Sequence, residues 1–576
     1  MTQRELHVTP NPVVAEMAPY TGAPPDPLIE LKLDSNESLS PVPPLDDIRW
    51  SDGCWQPNRY LRTTDVERRL SLRFDVAPDR VVVTAGADDA IERTVRAVCR
   101  PGCEAIVTVP AFEVLERYVR LAGATLIRVP WWHDDFPVAE VLSRVTPDTA
   151  LVFVVSPNNP TGAVASRRAV EELARHLPRS LILVDHAYVE YASPDHDLTA
   201  TALEMPNVVV FRTFSKAWGA AGLRVGYALG DPRVMGWLRT LGQPYPVAAP
   251  SLAMVDRLLQ YNTSPPPEPV ARVQHHRQRL TEVLTELGAE SLPSQANFVL
   301  ARFADSAWVR RALVSLGIGV RPFEGRGELE QWLRITIPAE DDAIARLEHG
   351  LRTVLAPAAL LFDLDGVIAD VSGSYREAIR RTASSFGVEL EAADIARAKV
   401  AGNANNDWEL TRRLLSEHGV SVSLDDVVAR FEAQYQGSET AAGLHHVETL
   451  LAEPGGLRRL AAGRPLGIVT GRPRSDARRF LDRHGIADCF AALVTMEDGP
   501  AKPDPAPVLL ALEQLATAHA WMLGDTPDDV TSARAAGVLP IGVVAPGDPE
   551  ETASALLAAG AARVLANAGQ LEGVLP

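Results

Sequence analysis

At 576 residues the chain exceeds one ordinary hydrophobic core, so two or more domains are expected. Apolar residues make up 46% and charged residues 23%, the balance of a globular protein. A formal net charge of −18 argues against a general nucleic-acid binder. No apolar run approaches membrane-spanning length, and Met1–Pro12 has neither the apolar core nor the cleavage pattern of a secretory signal. Cys99 and Cys103 fall four apart on an expected helix, a poor geometry for a disulfide. With Cys54 and Cys489 they read as free thiols of a cytoplasmic protein.

In chain order, residues 1–45 are rich in proline and polar residues and read as an N-terminal arm. From about 80 to 230, short apolar runs alternate with helical patterns. The runs are Val81–Val83, Ala105–Val109, Thr125–Val129, Leu151–Val155, Leu181–Val184 and Val208–Phe211. Such alternation predicts a largely parallel, helix-covered sheet. Residues 250–355 add helices and the strand candidates Phe298–Ala301 and Leu333–Ile337, completing a first catalytic region over 46–355. After the short join Leu355–Ala359, a second α/β series occupies 358–576. Its strands are Leu360–Phe362, Leu466–Val469, Ala492–Val494, Trp521–Leu523 and Ile541–Val544. A mostly helical insert, about 372–458, separates the first two. The fold class is therefore α/β throughout.

Four segments of the first region carry chemistry. Ser156–Gly162 reads SPNNPTG, Asp185 and Tyr188 lie in VDHAY, and Lys216 and Arg224 lie in FSKAWGAAGLR. Thr84-Ala85-Gly86-Ala87-Asp88 joins an expected strand to an expected helix, so its amides can cradle a phosphate. Pyridoxal phosphate needs a lysine for its aldehyde, a carboxylate at its ring nitrogen, a clamp on its phosphate and a stacking surface. Lys216 is the catalytic lysine candidate. Asp185, ending a strand at the carboxyl edge of the sheet, suits the ring nitrogen, and Tyr188 can reach the ring oxygen. Ala87, Asp88, Thr213, Ser215 and Arg224 are candidates around the cofactor phosphate.

With Leu33-Asp34-Ser35-Asn36-Glu37, Asn58-Arg59-Tyr60 and Leu333-Arg334-Ile335-Thr336, these segments resemble fold type I aminotransferases, and within them the histidinol-phosphate aminotransferase family, over residues 10–352. The resemblance implies a large mixed-sheet domain plus a small α/β domain. It implies that Asn159 contacts the ring oxygen, that Phe112 stacks on the ring, and that Tyr60 reaches the cofactor phosphate of a neighbouring subunit, hence a homodimer. It also implies that Arg321 and Arg334, helped by Tyr20, hold a substrate phosphate. The chain departs from the family at Phe112, where Tyr is usual, and at Ile337-Pro338, which replaces a glycine.

The second region places Asp363 and Asp365 in LLFDLDG, Thr470 in VTG, Lys502 in AKPDP and Asp525 in LGDTPDD. Asp363, at a strand tip, can act as a nucleophile on phosphorus. Asp365 can protonate the leaving alcohol and then activate water. Asp363, Asp525 and the Asp365 carbonyl suit Mg²⁺. Thr470 and Lys502 can bind the transferring phosphoryl oxygens, and Asp529 can steady metal-bound water or Lys502. The set resembles the haloacid-dehalogenase superfamily, which implies a Rossmann-like core with a helical cap in the insert. Within that insert, the polar cluster from Gly402 to Trp408 reads either as a helix N-terminus with Asn/Asp caps or as a contact to the leaving group through its Asn side chains or Trp408.

Together the two sets predict a bifunctional enzyme that uses pyridoxal phosphate and Mg²⁺. It would transaminate a phosphorylated ketone with glutamate, best matched by imidazole-acetol phosphate giving histidinol phosphate, and then remove the phosphate. Other readings are another phosphorylated amino alcohol, a phosphatase half acting on an unrelated ester beside an aromatic aminotransferase, or a pyridoxal phosphate decarboxylase of the same fold.

Overall fold

The computed structural model describes residues 12–19, 26–40, 59–438 and 441–576. The chain forms two compact units. One is drawn from Lys32–Ser306 and Val320–Ala345, the other from Asp26–Leu31, Ala307–Gly319 and Arg346–Pro576. This division differs from the segmentation at 355 and 358, because 307–319 and 346–355 group with the residues that follow 357. Among the described residues no helix is long and apolar enough to cross a membrane.

Strand β1 (Leu31–Leu33) belongs to a small sheet described below. The large sheet of the first unit uses β2 (Val81–Thr84), β3 (Glu104–Val109), β4 (Thr125–Pro130), β5 (Thr149–Val155), β6 (Leu181–Asp185), β7 (Val208–Thr213) and β8 (Gly226–Gly230). Their order is β2-β8-β7-β6-β5-β3-β4. All neighbours are parallel except at β8, which runs antiparallel to β2 and β7. The six expected runs each became a strand. The expected runs in β2, β5, β6 and β7 are continuously apolar because both sheet faces are covered there, whereas the edge strand β4 carries Thr125 and Arg128 and is partly exposed. In β5, Leu151 and Phe153 enter one core cluster while Val152 and Val154 enter the cluster on the opposite face. β8 was not expected. Its sequence GYALG carries two glycines, which weaken a strand signal, but a Cβ at Gly226 would stand 2.7 Å from the Ala87 nitrogen, so the close approach of the backbones requires glycine.

β9 (Glu290–Ser291), β10 (Phe298–Arg302), β11 (Ile318–Pro322) and β12 (Trp332–Thr336) join β1 in a sheet of order β1-β11-β12-β10-β9. Residues 31–36 of the expected arm are therefore built into the fold. Leu33 is buried, and buried Asn36 bonds Thr336 twice, through its amide (3.1 Å) and its side-chain oxygen (3.0 Å).

In the second unit, β13 (Ala359–Phe362) starts the catalytic sheet. The cap ladders pair β14 (Ala369–Asp370) with β17 (Thr449–Leu450) and β15 (Gly437–Ser438) with β16 (Ala441–Ala442). β18 (Leu466–Val469), β19 (Phe490–Val494), β20 (Ala520–Gly524), β21 (Leu539–Val543) and β22 (Arg563–Leu565) complete a six-stranded parallel sheet of order β19-β18-β13-β20-β21-β22. The cap carries the helices Tyr375–Ser385, Ala392–Val400, Asp407–Glu417 and Leu424–Gln436. Residues that precede 356 are part of this unit's packing. The buried Trp521 donates its indole N–H to the Thr353 carbonyl (2.7 Å) and meets the Trp308 ring edge-on at 5.5 Å. Ser315 donates its hydroxyl to the Gly560 carbonyl at 2.5 Å.

Cys99 and Cys103 do not share a helix: Cys99 closes the helix Gly86–Val98 and Cys103 stands just before β3. Both are buried free thiols, as is Cys489, while Cys54 lies outside the described residues.

Candidate active sites

In the first unit, a cavity of 330 Å³ gathers residues from the carboxyl edge of the large sheet and from β11 and β12. Ala87, Asp88, Phe112, Asn159, Asp185, Tyr188, Thr213, Ser215, Lys216, Arg224, Arg321 and Arg334 all line it. Lys216 donates to the carbonyls of Ser35 (3.2 Å) and Asn36 (3.0 Å). Its burial, with the charge of Arg334 beside it, lowers its pKa to about 8, against the pull of Glu37 and Asp88. Asp185 ends β6 and accepts from the Ala187 amide at 3.0 Å. Burial raises its carboxyl to about 6, a cost that a cationic ring N–H facing it would remove. The Tyr188 hydroxyl accepts from Asn36 (3.1 Å) and Asn159 (3.5 Å).

The phosphate end is built from the helix Gly86–Val98 and the lysine loop. Gly86 has φ +84°, and a Cβ there would stand 3.0 Å from Arg224 Nη2. Arg224 adopts a left-handed conformation (φ 52°) that turns its guanidinium to Ser215 Oγ (3.3 Å) and Asp88 (3.4 Å). Burial raises the Asp88 carboxyl, while Arg224 and Lys216 oppose the rise. A helix N-terminus, two hydroxyls and a guanidinium form an anion cradle; with Lys216 and Asp185 they fit pyridoxal phosphate in donor type and in placement.

The substrate side differs from expectation in detail. β11 and β12 place Arg321 directly opposite Arg334. Arg334 donates to Asn159 Oδ1 and to the Asp34 carbonyl, both at 2.6 Å. Arg321 bonds Glu113 at 3.4 Å, and Glu113 also pairs with Arg326 at 2.7 Å. Arg326 lines the cavity and was not expected; its position in the irregular run Glu324–Gly327 gives no pattern to read. Tyr60 is not among the lining residues. It is 79% exposed and stacks on Tyr245 at 4.4 Å. Tyr20 and Asn58 lie outside the described residues.

In the second unit, Asp363 follows β13, Thr470 follows β18 and Asp525 follows β20, so all three stand at the carboxyl edge of the parallel sheet. The carboxylates of Asp363, Asp525 and Asp529 have oxygens within 4.8 Å of one another, all buried. Burial raises the carboxyls of Asp363 and Asp525, and the neighbouring carboxylates add to it. A hard divalent cation with oxygen ligands answers that excess charge, so the set fits Mg²⁺. Gly366 serves the same point: at φ +74°, its Cβ would come within 2.1 Å of Asp525 Oδ2. Lys502, buried, donates to Asp363 (2.6 Å) and Asp529 (2.5 Å). Thr470 Oγ1 accepts from the Arg472 amide at 3.2 Å.

The Asp365 side chain is held by Arg472, Nε to Oδ1 at 2.5 Å. Arg472 is fully buried, also pairs with Glu448 (3.1 Å) and lies 4.7 Å from the Tyr375 ring centroid. Sequence reasoning missed it, although it stands two residues after Thr470. Asn406 caps the helix Asp407–Glu417 by accepting from the amides of Trp408 (3.0 Å) and Glu409 (3.1 Å). Trp408 nevertheless lines a small cavity together with Asp365 and Tyr375, so this segment both caps a helix and borders the site. A Cβ at Gly471 would stand 2.2 Å from the Asn405 carbonyl oxygen, which shows how closely the cap is seated.

Comparison with known proteins agrees with both halves. The model of aminotransferase class I and II matches residues 59–348, and that of haloacid dehalogenase-like hydrolase matches 357–537. An aromatic amino acid aminotransferase of Mycobacteroides abscessus is 38% identical over 336 residues, 56% of this chain and 93% of that protein. A histidinol-phosphate aminotransferase of Ralstonia nicotianae is 34% identical over 340 residues, 57% of this chain and 90% of that protein. An imidazoleglycerol-phosphate dehydratase of Phytophthora nicotianae is 50% identical over 196 residues, and the match spans 33% of this chain but only 43% of that protein. Among solved structures, histidinol-phosphate aminotransferase from Sinorhizobium meliloti with pyridoxal-5'-phosphate aligns at TM-score 0.54 and 25% identity, over 61% of this chain and all of the other.

Proposed function

We propose, for a chain that belongs to the class I and II aminotransferases and carries a haloacid dehalogenase-like hydrolase domain, that the two halves act in succession on one phosphorylated substrate. The first half, residues 46–355, transaminates imidazole-acetol phosphate with glutamate to histidinol phosphate. The second, 358–576, hydrolyses the ester to histidinol, in histidine biosynthesis in the cytoplasm. The observation that carries this is the pairing of Arg321 with Arg334 across β11 and β12, a guanidinium pair suited to a phosphate, on a chain that also holds a phosphatase site. The histidinol-phosphate aminotransferase relative supports it, and so does the relative named for an imidazole-bearing phosphate ester.

Pyridoxal phosphate, when bound, supplies the electron sink for moving the amino group. Asp185 would face its ring nitrogen, Tyr188 and Asn159 its ring oxygen, and Phe112 its ring face. Ala87, Asp88, Thr213, Ser215 and Arg224 would hold its phosphate. Lys216, freed of the cofactor, carries the proton at the substrate carbon. Tyr60, exposed and stacked on Tyr245, would reach the cofactor phosphate of a second copy in a homodimer. In the phosphatase, Asp363 attacks phosphorus and the ester P–O bond breaks, while Asp365 gives its proton to the departing alcohol. Water then attacks the aspartyl phosphate as Asp365 takes its proton, releasing inorganic phosphate and restoring Asp363. Thr470 and Lys502 would hold the phosphoryl oxygens, and Asp363, Asp525 and the Asp365 carbonyl would hold Mg²⁺.

A second reading is an aromatic aminotransferase beside a phosphatase of separate purpose. It is favoured by the relative of that name and by Glu113, which engages Arg321 and lowers the positive charge available to a phosphate. One assay separates the two. The chain is incubated with glutamate, pyridoxal phosphate, Mg²⁺ and either imidazole-acetol phosphate or phenylpyruvate, and products are followed by mass. Histidinol is expected from the first mixture; transamination of phenylpyruvate alone would reject the proposal. Lys216→Ala should abolish transamination and spare phosphate release from supplied histidinol phosphate, and Asp363→Asn should stop the sequence at the phosphorylated amine.

A further inference from the structure

The cavity beside Asp365 is lined by two carboxylates, Asp365 and Asp407, with Tyr375 and Trp408 among its walls. They are not equivalent. Asp365 is bound by Arg472. Asp407 opens the helix Asp407–Glu417, but its carboxylate is not the cap, because Asn406 already serves the first free amides. Its Oδ1 is buried and accepts no hydrogen bond among the described residues. The nearest cation, the Lys399 ammonium, stands 3.7 Å away, beyond hydrogen-bond reach. A carboxylate oxygen removed from water without a donor is costly unless a partner arrives.

We propose that Asp407 is the residue by which the phosphatase site recognises an ammonium group on the leaving alcohol, so that the site selects phosphorylated amino alcohols over plain alkyl phosphates. This rests on the reading that the phosphatase consumes the amine made by the first half. An ammonium beside the ester carries N–H donors and a positive charge for the Asp407 carboxylate. A ketone or a plain alkyl group at the same place offers the carboxylate no donor. The chemistry also orders the two steps: the phosphorylated ketone, lacking an ammonium, is spared until it has been transaminated.

The test uses the full chain and the ratio of kcat/KM between O-phosphoethanolamine and ethyl phosphate, with histidinol phosphate as a third substrate. The wild type is expected to prefer the amine. Asp407→Asn, which keeps the side-chain shape, should shrink that ratio by about 10- to 100-fold, mainly through KM of the amine, as expected for loss of a buried ionic contact. Asp407→Glu should recover part of it. A ratio that Asp407→Asn leaves unchanged, whether both substrates slow together or neither does, overturns the inference. If the ratio collapses but the wild type does not hydrolyse histidinol phosphate, the inference stands and the histidine reading falls. If histidinol phosphate is hydrolysed and the ratio is unmoved, the reverse holds.

Discussion

His186 and Lys216 show how burial fixes the protonation state of single residues in the first unit. The buried His186 ring contacts the Ser156 carbonyl through Nδ1 (2.6 Å) and accepts from the Leu198 amide at Nε2 (3.0 Å), which requires the neutral tautomer. Burial lowers its pKa to about 4 from 6.5. The unfolded chain therefore binds this proton first as pH falls. The stability due to His186 is complete above about 6.5, declines as pH falls toward 4 and levels below that, a loss of about 3 kcal/mol. Urea unfolding at pH 7 and at pH 4.5 should show a smaller pH penalty in His186→Asn than in the wild type; equal penalties would refute it. Lys216 titrates near 8 rather than 10.5. Uptake of pyridoxal phosphate by the cofactor-free protein, which needs the neutral amine, should rise with pH and level off above about 8. A midpoint near 10 in the absorbance-followed rate would show a solvated lysine.

The strand tips and the turns after them set the geometry of both sites, and some of those turns admit only glycine. Gly366→Ala would place a methyl against Asp525 and strain a positive φ. Phosphate release should fall by at least about 100-fold, because a ligand group misplaced by about 1 Å costs that much, while transamination persists. A fall of less than tenfold in a phosphate-release assay would show that the loop yields. Much at this scale was legible in the sequence. Strands buried on both faces are unbroken apolar runs, and Asp185, Asp363, Thr470 and Asp525 follow such runs directly. What escaped lacked a local signal. β8 hides behind its glycines, Arg326 sits in irregular chain, and Arg472 becomes informative only once folding brings it to Asp365. Residues 31–36 read as arm because three residues of alternating pattern do not reveal a partner strand that begins only at Ile318.

For the molecule as a whole, the join near residue 356 is less of a boundary than the sequence suggests. The second unit includes 307–319 and 346–355, and Trp521 is buried beneath Trp308 with its indole N–H on Thr353. A fragment starting at 357 loses that acceptor and uncovers the indole. Exchanging that hydrogen bond for one to water costs about 0.5–1.5 kcal/mol, and the exposed apolar surface adds to it. Its thermal midpoint should lie at least about 5 °C below that of a fragment starting at 341; equal midpoints in scanning calorimetry would reject the claim. Motif order could not show this, because the catalytic residues of each half fall on their own side of the join and only packing crosses it. The buried Trp521 also bears on ancestry and engineering. A recombination breakpoint at 356 would cut through a hydrophobic core, so a crossover there would not return two working cassettes, and a graft of the phosphatase onto another scaffold must carry the helix ending at Leu355 with it.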